Sequence, residues 1–133
     1  MKIVMKIDGL TLGDWVTDEG VPGQVIMVSV EGVAMIVKEE QIVYLNSERL
    51  NPIPLTREIL LANGFTKFVD GYRRTFYNYV VDNNLMLDIS DWEDEGLKVA
   101  VGGKFRELKY VHELQHILRL IGLGEVANNF KIK

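Results

Sequence analysis

The sequence predicts an α+β protein: a small N-terminal β-barrel of the SH3-like type, then a short helix and an antiparallel sheet covered by a C-terminal amphipathic helix. Three observations predict it. Residues 1 to about 50 hold four or five short β-rich segments joined by glycine-containing turns, the pattern of a small, strongly bent barrel. The stretch Asn51-Pro-Ile-Pro54 then forces extended backbone and forbids helix immediately before each proline. Residues 110–122 carry the clearest helical period in the chain. The expected division is a barrel lobe over 1–50 and an α+β lobe over 51–133, either as two lobes or around one shared core.

Within the first lobe, residues 2–7 are β-rich, and Leu10 to Val16 follows the turn at Asp8-Gly9. A turn-prone segment, residues 18–23, leads into the β-branched run from Gln24 to Val30. Glu31-Gly32 turns the chain into residues 33–37, and residues 41–45 close the series. Gly13-Asp14-Trp15-Val16, followed by a turn and Gly23-Gln24-Val25, resembles the opening of many SH3-like barrels.

The second lobe begins with a helix over about 56–63. Thr56 is its N-cap, Glu58 lies in the first turn where the helix dipole favours an acid, and Asn63-Gly64 ends it. Residues 66–69 and 72–81, joined at Asp70-Gly71, form a hairpin. Asp82-Asn83-Asn84 turns into residues 85–89, and residues 97–101 and 105–108 make a second hairpin around Gly102-Gly103. The helix at 110–122 should pack across this sheet. Beyond it, Val126 to Lys133 has little pattern and reads as a mobile end or a marginal strand.

Composition narrows the function. A chain of 133 residues buries enough surface to fold without a metal or disulfide. The absence of cysteine removes disulfides, thiolate metal sites and cysteine nucleophiles, and fits a cytoplasmic protein. The N-terminus lacks a signal-peptide core, and the longest apolar run, residues 33–37, is far short of a membrane span. The formal charge of -4 argues against nucleic-acid binding through the overall field and leaves room for a local basic patch. There is no P-loop, dinucleotide fingerprint or nucleophile elbow.

Three segments carry candidate chemistry. The first is H-E-x-x-H at His112, Glu113 and His116. Two histidines one helical turn apart can clamp a zinc ion, with the Glu acting on a bound water, but a third protein ligand is required. The chain has no other histidine, and the only carboxylate downstream is Glu125. Stepping about 100° per residue places Tyr110, Val111, Leu114, Ile117, Leu118 and Ile121 on one stripe. His112, His116 and Arg119 fall opposite it, near Gln115, facing solvent or a partner. The zinc-dependent hydrolase is therefore an alternative, with Glu113 as its catalytic residue, and the plainer expectation is a solvated polar face.

The second segment is residues 72–79, which mixes Arg73 and Arg74 with aromatic rings on a strand. Together with Lys67 and Tyr77 it is a candidate nucleic-acid platform, since stacking beside cations holds single strands. Alternation opposes this, because it sends Tyr72, Arg74, Phe76 and Asn78 to one face and Arg73, Thr75, Tyr77 and Tyr79 to the other. The third segment, residues 88–96, is strongly acidic but lacks the spacing of a calcium loop, so a solvated turn is expected there. Trp15 and Trp92 are expected to fill core or cover an edge.

Two blocks also carry a family resemblance: residues 53–65, from Ile53-Pro-Leu-Thr56 to Gly64-Phe65, and Tyr110-Val-His-Glu-Leu-Gln-His116. They resemble the "I-P-L-T-E-E-x-L-x-x-x-G-F" and "Y-V-H-Q-L-Q-N" blocks of a group of small uncharacterised proteins from phages, prophages and chromosomes of anaerobic gut bacteria. That resemblance implies a mobile-element setting and brings no activity with it. Arg57, Glu113 and His116 depart from the group's pattern, so the H-E-x-x-H letters arise here from two local substitutions. With no complete catalytic constellation, the expected role is a non-enzymatic interaction or structural module with a protein partner and no cofactor.

Overall fold

The computed structural model describes residues 10–29, 32–101 and 103–132. The expected strand over residues 2–7 lies outside them, as do Glu31 and Gly102 of two expected turns. The fold is α+β with two five-stranded antiparallel sheets. It forms two compact units: the described residues up to Pro54 with Tyr110–Ile132, and Leu55–Lys109. These units do not run as the expected lobes do. Residues 51–54 and the C-terminal helix belong with the N-terminal sheet, and the second unit is an insertion into the first.

In the first unit, β1 (Trp15–Asp18), β2 (Val21–Val28), β3 (Val33–Lys38), β4 (Gln41–Asn46) and β5 (Asn51–Pro52) are ordered β4-β3-β2-β1-β5. A single 3-10 turn, Ser47–Arg49, separates β4 from β5. Val16, Val25, Ala34, Ile36, Leu45 and Leu50 form the core of this sheet. No pairing among the described residues joins β4 to β5, so the sheet stays open rather than forming a closed barrel. Residues 10–14 form a turn, and β1 starts only at Trp15, four residues before the Glu19-Gly20 turn.

The helix α2 (Val111–Leu120) packs in this unit, against β1. After it, Gly124–Asn128 forms a short helix α3, where sequence gave no pattern. Val111, Leu114, Leu118, Ala127 and Phe130 are buried. An isolated bridge between Pro54 and Tyr110, with Val111 N–H donating to Ile53 C=O at 2.8 Å, sets the departing and returning chain side by side.

The second unit is a meander of β6 (Thr66–Val69), β7 (Thr75–Val81), β8 (Asn84–Asp91), β9 (Leu97–Val101) and β10 (Lys104–Leu108), in the order β10-β9-β8-β7-β6. The helix α1 (Arg57–Ala62) precedes it, with the Thr56 hydroxyl accepting from Ile59 N–H at 3.2 Å as the expected cap. Ile59, Leu60 and Phe65 are buried, as are Tyr77, Leu87, Ile89, Leu97, Val99 and Leu108 from one face of the sheet. Asp82 and Asn83 both take positive φ in a two-residue hairpin loop. The acidic stretch is not one solvated turn: Asp88 and Asp91 sit on β8, and only Glu93–Glu95 form a 3-10 turn.

Candidate functional site

The H-E-x-x-H helix does not present its histidines as expected. Its buried residues are Val111, His112, Leu114, Gln115 and Leu118, so the inward face is rotated toward the polar side. Ile121 is 36% exposed and Ile117 only half-buried, whereas His112 is 7% exposed and Gln115 is fully buried. The cause is the backbone of the turn before β1. Strand β5 pairs only with Val16 and Thr17, leaving earlier polar groups of that edge without a sheet partner. Gln115 supplies it: its Oε1 accepts from Trp15 N–H at 2.9 Å, and its Nε2 donates to Gly13 C=O and Ala127 C=O at 2.8 Å each.

Asp14 is the second anchor. It is fully buried, and its carboxylate accepts from Arg119 Nη1 at 2.6 Å and Thr11 N–H at 2.9 Å, and meets His116 Nε2 at 2.7 Å. Gly13 takes φ +90°, and a Cβ there would lie 2.6 Å from Asn128 Oδ1. Trp15 is tied in through its indole N–H, which donates to Phe130 C=O at 2.6 Å. The Gly13-Asp14-Trp15 stretch is thus the seat for α2 and α3.

Glu113 turns the other way. Its carboxylate accepts from Tyr110 N–H at 2.9 Å, half of a capping box at the helix start. His112 stacks on Tyr110 with centroids 6.0 Å apart and meets His116 edge-on at 5.6 Å. Its buried Nδ1 has no hydrogen-bond partner, and burial holds the imidazole below its ordinary pKa, against the pull of Asp14. The fit to zinc is poor: the Glu caps a helix and Asp14 occupies His116 Nε2. Among the described residues no group of three or more such side chains could hold a metal ion.

The nucleic-acid candidates are also separated. Tyr77 is 2% exposed, in the core, and burial raises its phenol pKa. Lys67 pairs directly with Tyr77 in register and so lies on that side of the sheet. Arg73 occupies the turn before β7 at positive φ, after the Asp70 carboxylate has fixed the local backbone through Tyr72 and Arg74 N–H groups. Only Arg74 reaches the opposite face, where it is paired with Asp70 at 2.7 Å.

That opposite face is where the second unit concentrates exposed aromatic surface. Direct pairing aligns Phe68, Phe76, Ser90, Lys98 and Glu107 across all five strands. Phe68, Phe105 and Trp92 are 52%, 57% and 41% exposed. The Trp92 and Phe105 rings meet edge-on at 5.4 Å, and Lys98 Nζ lies 4.1 Å from the Trp92 centroid. Arg74 lies over Tyr72 and Phe76, at 5.2 and 5.9 Å. Between Phe76, Trp92 and Phe105 runs a cleft of about 350 Å³, bordered by Arg74 and Ser90.

No family model, curated protein or solved structure matches the chain.

Two acidic groups of β8 behave differently. Asp91 takes both hydrogen bonds of Arg57, at 2.6 and 2.7 Å, and this pairing holds its carboxyl below the usual range and raises the guanidinium. Asp88 is paired in register with Asn78, both have a buried oxygen without a hydrogen-bond partner, and burial raises the Asp88 carboxyl. Sequence reasoning missed Asp14 and Gln115, and it missed the cleft. The signals were present: Gln115, His116 and Arg119 form a polar set at helical spacing, and period-two alternation puts Ser90, Trp92 and Lys98 with Phe76 once the hairpin registers are known.

Proposed function

We propose that this chain is a non-enzymatic interaction module that binds a protein partner through the open face of its second sheet. The observation that carries the reading is the exposure of Phe68, Trp92 and Phe105 together on that face. Contiguous exposed aromatic surface marks interaction sites, because moving such rings out of water and against a partner is favourable. The polar residues of the H-E-x-x-H stretch support the same reading, since their hydrogen bonds go to a helix cap and to Asp14. For the first unit the strand order with β5 beside β1, and the 3-10 turn before β5, support an SH3-like framework. The resemblance of residues 53–65 and 110–116 to phage and prophage proteins supports a mobile-element setting for the partner.

The test is activity and metal content in protein purified without a histidine tag. The expected result is no hydrolysis that depends on a single side chain and no stoichiometric zinc. Hydrolysis together with zinc, both lost in His112→Ala, would replace the module with the zinc-dependent hydrolase.

A further inference from the structure

Resting on that reading, we infer that the occupant of the aromatic cleft is a basic segment of a partner protein, with Arg or Lys side chains laid across Phe76, Trp92 and Phe105. Charge sorting across the sheet selects this partner. Asp88 and Glu107 lie on the aromatic face by register, and Asp70, Glu93, Asp94 and Glu95 occupy the turns that flank it. Glu93, Asp94, Glu95 and Glu107 are exposed. The bases on this side include Arg74, already paired with Asp70, Lys98, 3.8 Å from Glu95, and Arg73 in the adjoining turn, while Arg57 is taken up by Asp91. Lys67, Lys104 and Arg106 alternate to the other side of the sheet.

The rings themselves accept cations. Lys98 Nζ sits 4.1 Å above the Trp92 ring and the Arg74 guanidinium 5.9 Å from Phe76, so both geometries occur within this one unit. The cleft, about 350 Å³ and flanked by aromatic walls, takes an extended side-chain stem, and its cationic head then reaches past the rim, where Glu107 follows Phe105 on the same face and the Glu93–Glu95 turn follows Trp92. A polyanion approaching this face passes the exposed Glu93–Glu95 turn next to Trp92 and is repelled there.

Titration of the full chain, followed by Trp92 fluorescence and amide shifts, tests this with three probes: a short peptide alternating Arg and Leu, its counterpart with Glu for Arg, and oligothymidylate. The expected result is binding of the basic peptide alone, weakening as salt rises. Trp92→Ala with Phe105→Ala should weaken it about ten-fold or more, as should Glu93→Gln with Glu107→Gln, with circular dichroism checking that each variant folds. The basic peptide binding no better than its Glu counterpart, or equally well to both variants, overturns the inference. Oligothymidylate or the Glu peptide binding in its place, with loss in the aromatic variant, also overturns it while leaving a binding module standing. If no probe binds, the basic-segment assignment falls.

Discussion

At the scale of single residues, His112 shows how burial changes what a side chain can do. A histidine on a helix surface titrates freely and matters little to folding. Here the imidazole is 7% exposed, its Nδ1 is unsatisfied, and its pKa lies below the ordinary 6.5. The unfolded chain therefore binds the proton first as the solution is acidified. Stability is intact above about pH 6.5 and falls as pH drops toward the folded-state pKa, by at most about 1.4 kcal/mol per pH unit. Urea midpoints measured from pH 7.5 to 5 should show this slope, and His112→Phe, which keeps the ring stack on Tyr110, should reduce it. Equal slopes in the two proteins would mean that the imidazole is as free to protonate in the folded state as in the unfolded one.

At the scale of elements, α2 is held by polar contacts on the side where its apolar stripe was not expected. Replacing Gln115 by Leu leaves Trp15 N–H and Ala127 C=O without their partner and should cost roughly 3 kcal/mol. Ile117→Ala, at a half-buried position, should cost about 1 kcal/mol, below the range for full burial. Urea denaturation of the two variants gives the comparison, and a larger loss from Ile117→Ala would restore the aliphatic stripe as the buried face. The helix itself was legible, because the period from Val111 to Leu118 is local. Its rotation was not. A hydrophobicity pattern assigns Gln115 to the outside, whereas an edge backbone short of partners makes a buried amide favourable.

At the scale of the molecule, the second unit leaves the first at Pro54 and returns at Tyr110, and these two residues form a β-bridge. Leu55 N–H and Lys109 C=O are likewise paired at 2.8 Å, so each unit has its two chain crossings close together. An insertion with adjacent ends can be removed with little loop-closure cost. Excising residues 55–109 and joining Pro54 to Tyr110 through a short Gly-Ser linker should leave a cooperatively folding protein with the α2 helical signal retained. The measurement is a single urea transition by far-ultraviolet circular dichroism and by Trp15 fluorescence. Non-coincident or absent transitions would show that the first unit depends on the second.

The sequence by itself determined most of the secondary elements, the proline joint, the Thr56 cap and the absence of thiol chemistry, because each depends on composition or on neighbours a few residues away. It also bounded the H-E-x-x-H reading, since a third ligand was already hard to find. Only the tertiary structure decided which sheet the C-terminal helix serves. Asp14 and Gln115 lie about a hundred positions apart in the chain, as the contacts to His116 and Trp15 show, and no local period can register a partner at that separation. The same holds for the aromatic cleft, where alternation along one strand fixes a face and only the pairing of five strands brings Phe76, Trp92 and Phe105 together.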